Sequence, residues 1–352
     1  MKKFMLFAAM VSVVLTSCVN EDKEEMESAS KKAISFDMPV MKPTRAVLGE
    51  IIGTTYPTTE SFKVYCKSYT GTYAGWEGAA NYFDADGEVV SKSGTQWTTA
   101  TPHYWPELGN NLVFAAYSPA DATGTYSQDD KGLQIDNFTT DAANNQYDLM
   151  YTARVDGKNK GNNGDSAVPL VFKHALTSVV FSAIATDANA TYKIKSLTVD
   201  GSFVTKADFN QNIATAAELD GTPEWTPAAA ATAMTYSIFT GATVSVDNSK
   251  VVMLTGKESA AGVQSALLLI PQDVDDATTV TIVYDKTTGD GTLESTATIK
   301  LNDFMAGGAS ITEWAMGKRY IYKITFGANK PIHFSPSIDE DWDTTTLEYT
   351  ID

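Results

Sequence analysis

The chain has 352 residues, 43% of them hydrophobic, two cysteines and a formal net charge of −17. That much apolar material suffices for packed cores and excludes wholesale disorder, and the length suggests two domains of ordinary size. So negative a surface repels phosphate backbones and anionic lipid, which excludes nucleic-acid binding.

The first element is Lys2-Lys3 followed by the apolar run Phe4 to Leu15 and the small residues before Cys18. This is the layout of a secretory signal, and the run falls short of the ~20 residues that cross a bilayer as a helix. Residues 1–17 therefore read as a signal peptide. Leu15-Thr16-Ser17-Cys18 resembles the lipobox of bacterial lipoproteins, which implies cleavage before Cys18 and acylation of its thiol. The acidic run Glu21 to Glu25 reads as a solvated tether or an export mark for the cell surface. With Cys18 acylated, Cys66 has no disulfide partner; it alternates with Phe62 and Val64 and reads as a buried, inert thiol.

Beyond the leader a period of two dominates. Ile34, Phe36 and Met38 share one side of a short strand, and Pro39 and Pro43 then interrupt before Thr44-Arg45-Ala46. Phe62 to Cys66 is a strand, residues 71–94 read as loops between short strands, and Leu112 to Tyr117 is an apolar run stopped by Ser118-Pro119. Residues 156–165 form a polar Gly/Asn/Lys stretch, the best candidate boundary, with Val168 to Leu176 either closing the first domain or opening the second. Ala266 to Ile270 is an apolar strand. Val280, Ile282 and Tyr284, then Leu293 to Leu301, predict a hairpin with a loop longer than two residues, and Tyr320 to Phe326 is one more strand. Leu347, Tyr349 and Ile351 fall on one face of a C-terminal segment that reads equally as a last strand of its own domain or as a strand for another chain. The fold class expected is all-β, with antiparallel β-sandwiches in tandem.

Catalytic and metal signatures are missing. The three histidines, His103, His174 and His333, have no partner at metal-ligand spacing, and no nucleophile elbow, phosphate loop or dinucleotide fingerprint occurs. Asp84-Ala85-Asp86-Gly87-Glu88 starts like a calcium loop but lacks its later ligands, so it reads as a turn. No cofactor and no enzymatic activity are expected.

Several landmarks occur in order: the lipobox at Cys18, Ile34-Ser35-Phe36, Thr44-Arg45, Tyr104-Trp105-Pro106, Phe114 to Pro119, Asp148-Leu149-Met150-Tyr151, Leu170 to Thr177, Trp314 to Tyr320 and Trp342. The series resembles the fimbrillin family of Bacteroidetes, the subunits of type V pili. The resemblance implies two transthyretin-like domains, here 46–166 and 167–352, behind a tether and removable N-terminal strand at 18–45. It also implies a surface lipoprotein precursor anchored in the outer membrane and cleaved by a maturation protease between Arg45 and Ala46. Loss of the strand carrying Ile34, Phe36 and Met38 then exposes a sheet edge that another subunit fills, with residues 343–352 (Leu347, Tyr349, Ile351) as donor. The partners implied are further pilin subunits joined head to tail, with a host or bacterial surface ligand as the adhesive target. The competing reading is a surface lipoprotein that stays acylated and binds glycans through loop aromatics such as Trp76.

Overall fold

The computed structural model describes residues 33–37, 56–107, 109–140, 146–163, 166–256, 266–306, 309–327 and 333–339, the side chains of 239–242, 305–306 and 333–339 excepted. Regular structure among these residues is β-strand apart from one 3-10 turn at Leu301–Asp303. The expected all-β class is therefore observed.

The first half contributes β1 (Phe36–Asp37), β2 (Phe62–Thr70), β3 (Ala80–Asn81), β4 (Glu88–Ser93), β5 (Gln96–Thr99), β6 (Asn110–Ser118), β7 (Thr125–Asp129), β8 (Gly132–Thr139), β9 (Met150–Thr152), β10 (Val155–Lys158), β11 (Val168–Pro169) and β12 (Phe172–His174). Most of them form one sheet in the order β11-β1-β5-β4-β2-β6-β9-β12, with β3 and β10 pairing on β2 and β6. Its two end strands, β11 and β12, are separated by Leu170 and Val171 alone, so the sheet curls back on itself around a core. That core holds Ile34, Phe36, Phe62, Val64, Cys66, Trp97, Phe114 and Phe172. The Val168 block thus pairs with the first sheet rather than with the strands that follow it. The polar stretch before it begins inside β10, which pairs with β6.

The second half contributes β13 (Thr177–Ala185), β14 (Thr191–Phe203), β15 (Lys206–Asn210), β16 (Glu224–Pro227), β17 (Thr232–Val246), β18 (Val252–Met253), β19 (Leu267–Leu269), β20 (Gln272–Asp273), β21 (Thr279–Thr288), β22 (Gly291–Lys300), β23 (Met305–Ala306), β24 (Ala309–Ser310), β25 (Glu313–Trp314), β26 (Arg319–Phe326) and β27 (His333–Asp339). Two sheets, β18-β13-β26-β27 and β17-β14-β21-β22, enclose Phe181, Leu197, Val199, Ile282, Trp314, Tyr322 and Ile324 as a sandwich core. Pairing is antiparallel except for β1 with β11 and β13 with β26. The β21–β22 hairpin differs from expectation: Thr288 pairs with Gly291, leaving a two-residue Gly289-Asp290 loop. Its tip carries threonines and the exposed Leu293 beyond the core, so polar residues continue the ladder where apolar alternation has stopped.

A third core ties the halves together. β15, reached from the end of β14, pairs with β8 on one side and β16 on the other, in a sheet of order β16-β15-β8-β7. This layer packs Leu133, Ile135, Phe138, Ala207 and Phe209 against Tyr65, Val113, Ala115, Tyr117 and Tyr151 of the first sheet. β6 is consequently buried on both faces, which explains its unbroken apolar run. Gln211, fully buried, locks the layers: it donates to Thr152 O (3.2 Å), and its Oε1 accepts from Leu133 N–H (3.0 Å). Gly132 at φ +100 makes room, since a Cβ there would lie 2.6 Å from the Gln211 Oε1. Removing this amide strands two buried backbone groups. Gln211→Ala should cost about 1–3 kcal/mol, seen as a lower denaturant midpoint and faster hydrogen exchange at the Leu133 amide.

Candidate functional site

The N-terminal strand is the feature that sets the site. Residues 33–37 are described in contact with the first sheet, while the next described residue is Tyr56. Expected at a sheet edge, β1 instead lies inside: Phe36 pairs with Val168 of β11 in parallel on one side and with Trp97 of β5 antiparallel on the other. Edge placement would have satisfied one ladder; the gap between β5 and β11 offers two. Val168 N–H donates to Ser35 O (2.8 Å), Leu170 N–H donates to Asp37 O (2.9 Å) and Ile34 N–H donates to His103 O (2.7 Å). Ala33 adds a bridge to Tyr104.

Its side chains complete the core. Ile34 and Phe36 are each 2% exposed, and burying both contributes about 3–6 kcal/mol relative to exposure. Phe36 meets Phe62 and Phe114 edge-on, at 6.0 and 5.7 Å between ring centroids. Tyr56 caps the same core against Trp97 and Phe172, its hydroxyl 2.6 Å from Ser118 Oγ and donating to Ser61 O at 2.9 Å. Burial pushes the Cys66 thiol well above its usual range, the nearby Glu88 carboxylate adding to the effect; the thiol is inert, as its alternation implied.

Residues 100–106 clasp the strand's start. His103 Nε2 sits 2.7 Å from Glu88 Oε1 and its ring lies on Phe83, 4.2 Å between centroids. The Tyr82 hydroxyl donates to Tyr104 O. The other described histidine side chain, His174, bonds through Nδ1 to the buried Asp148 carboxylate at 2.9 Å. Asp84 closes an ordinary turn, accepting from Asp86 N–H through Oδ1 and from Gly87 N–H through its carbonyl. Among the described residues no group of three or more His, Cys, Asp or Glu could hold a metal ion.

Cys18, Met38, Arg45, Ala46, Leu347, Tyr349 and Ile351 lie outside the described residues. Trp76 is a correction. It is 2% exposed, not a surface aromatic: Lys67 Nζ lies over its ring at 5.5 Å and the Arg154 guanidinium carbon at 5.4 Å. Arg154, itself buried, donates to Tyr73 Oη (3.3 Å), Ala216 O (3.4 Å) and Asp129 O, and desolvation lowers its pKa. The loop therefore folds beneath a cation instead of offering a stacking face, and the glycan-binding reading loses its named residue. Nothing in the sequence around Arg154 signals this role, because its partners come from residues 73–76, 129 and 216.

Removing the Phe36 ring leaves a cavity under an interior strand. Phe36→Ala should destabilise the protein by about 3–5 kcal/mol, while Leu293→Ala, at 69% exposure, stays within about 0.5 kcal/mol; denaturant titration of both checks this. The Cys66 thiol should resist iodoacetamide until the protein is unfolded.

A fimbrial protein from Bacteroides vulgatus superposes with a TM-score of 0.52 over 88% of this chain and 99% of that one, at 14% identity. A candidate cell adhesion protein from Bacteroides uniformis gives 0.46 over 89% and 100%, at 17% identity; one from Bacteroides ovatus gives 0.43 over 90% and 99%, at 16%. The first of these shares the fold. No curated protein matches the chain. The fimbrillin-like family matches residues 44–342, which includes the first sheet from β2 onward and the sandwich behind it. The chain belongs to the fimbrillin-like family.

Proposed function

We propose that the protein is a structural subunit of a surface fimbria of the type V pilus kind, supporting adhesion. It is exported as a lipoprotein acylated at Cys18, cleaved between Arg45 and Ala46 by a surface protease, and polymerised head to tail by donor-strand exchange. The observation that carries this reading is β1: an interior strand whose only chain connection to the next described residue runs through residues 38–55, where Arg45 lies.

The energetics support a strand that is secure while tethered and replaceable once cut. Two buried side chains and a few backbone bonds, each worth about 0.5–1.5 kcal/mol net, hold it when the tether keeps its effective concentration high. Cut loose, a bound strand must also offset the ~4–15 kcal/mol lost in translational and rotational freedom. A strand from another subunit bears the same association cost, so it competes through a longer ladder and more buried side chains. Its backbone refills both open ladders, and its alternate side chains fill the core. Because donor and acceptor are different surfaces of one subunit, the contact does not close on itself and builds a filament. Leu347, Tyr349 and Ile351 are the donor side chains in this proposal, and Ile34, Phe36 and Met38 those displaced.

Arg45→Ala should leave the precursor folded and its surface export intact, but abolish the ladder of polymers on unboiled gels after treatment with an arginine-specific protease. Normal ladders from that variant would remove Arg45 from the mechanism.

A further inference from the structure

β22 leaves one edge of its sheet open. It ends the order β17-β14-β21-β22 and, among the described strands, pairs with β21 alone. A free edge is a template for a further strand, and folds blunt such edges with bulges, prolines or brevity. Other edges of the molecule are guarded in that way. β17 shifts register against β14 at two places, β27 contains Pro336, and β7 and β16 run five and four residues. β22 runs ten residues without a proline, and its ladder with β21 is unbroken from Lys300 to Gly291. Most of it is exposed.

The free edge has a fixed polarity. Thr288 and Gly291 face each other across the two-residue loop and exchange both backbone bonds, so every second pair up the ladder does the same: Lys286 with Leu293, Tyr284 with Ser295, Ile282 with Ala297. The backbone groups of the residues between, Thr292, Glu294, Thr296 and Thr298, point away from β21. The side chains of these residues and of Lys300 share the outer face of the sheet. There Glu294 meets Lys195 at 2.5 Å and Thr298 meets Thr281 at 3.1 Å, while Ile299 on the opposite face packs against the core.

Charge says what can lie along this edge. The chain as a whole carries −17, so two copies repel over most of their surface. β22 carries one charge of each sign, Glu294 and Lys300, and is complementary to itself. In an antiparallel pair symmetric about Ala297, Glu294 of each copy stands opposite Lys300 of the other, and Thr296 opposite Thr298. Those are positions whose backbone groups face outward in both chains, so ladder and charges agree. Symmetry about Glu294 or about Lys300 sets like charges face to face, which is destabilising. Symmetry about Thr296 leaves both charges opposite threonines. Lys300 already holds Asp276 at 2.8 Å, so the Ala297-centred pair completes a row of alternating sign: Lys195 and Glu294 of one copy, then Lys300 and Asp276 of the second.

We propose that β22 of a second copy of this chain docks antiparallel along β22, centred on Ala297, and joins the two four-stranded sheets into one continuous sheet. The contact is isologous and closes on a pair. It goes beyond head-to-tail assembly and needs no cleavage, because β22 belongs to the sandwich that does not hold β1.

The test uses the uncleaved chain from Val19 onward, which keeps every described residue and its own β1. Sedimentation velocity at about 1 mM chain should show a weak, reversible dimer, as expected of a small interface. Glu294→Lys and Lys300→Glu should each weaken it about tenfold by setting like charges opposite one another, and the double exchange should return it to within about threefold of the native chain. Ala297→Cys should give a disulfide-linked dimer under mild oxidation, because facing Cα atoms at such a position stand about 4.5 Å apart. Thr296→Cys, which faces Thr298 of the second copy, should link far more slowly; Cys66 is buried and does not compete. A chain that is monomeric at this concentration overturns the docking, as does a dimer that the single exchanges leave unchanged. Faster linking through Thr296→Cys than through Ala297→Cys overturns the register. Since the uncut chain keeps its own β1, none of these failures touches strand exchange.

Discussion

The structure depends on one constraint: an interior strand needs partners on both sides, and here that strand, β1, is followed by residues 38–55, which include Arg45, the proposed cleavage position. β1 has β5 on one flank and β11 on the other. Taking out an edge strand exposes a single ladder; taking out β1 opens a slot with unpaired groups on both walls and an apolar floor made of Phe62, Phe114, Trp97 and Phe172. Such a slot is costly to leave empty and specific to fill. In the proposed assembly, that combination makes a folding requirement the joint between subunits.

A slot of this kind is useful only if its walls hold while it is open. The first sheet is braced from its other face by the β16-β15-β8-β7 layer. β2 and β6 therefore keep one packed face whatever happens to the core that β1 completes. Two of its strands, β15 and β16, are contributed by residues 206–227, an excursion from the second sandwich held through Gln211 and Arg154. Trp225 adds a bond from its indole N–H to Ala175 O at 2.7 Å. The halves of the chain are thus joined by a shared layer that residues of both build.

The parts legible in the sequence were those written in local periodicity. Ile34 and Phe36, Phe62 to Cys66, the β6 run and Val280 to Tyr284 each carry their burial in adjacent residues. What escaped was decided by distant partners. The interior placement of β1 depends on Trp97 and Val168, about 60 and 130 residues away, and no local pattern records which gap a strand enters. Trp76 sits in a polar, Gly-rich loop that looks exposed until Arg154 closes over it. The short alternation Lys206–Asn210 gave no hint that it would pair with β8, and the threonines at the β21–β22 tip mimic a loop because they extend past the core. The donor and cleavage residues came from family likeness rather than from periodicity.

The central claim, that β1 plugs a preformed slot, is tested most directly by hydrogen exchange on the precursor and on protein cleaved at Arg45 and stripped of its N-terminal fragment. The account predicts that the Val168 and Leu170 amides, which donate to Ser35 and Asp37, lose protection, while the amides of β6 on the braced side of the sheet keep theirs. Retained protection at Val168 and Leu170 would mean the slot closes without its strand. Loss across β6 would mean the first sheet unfolds when the strand leaves. Either result would contradict a groove that waits open for a neighbour.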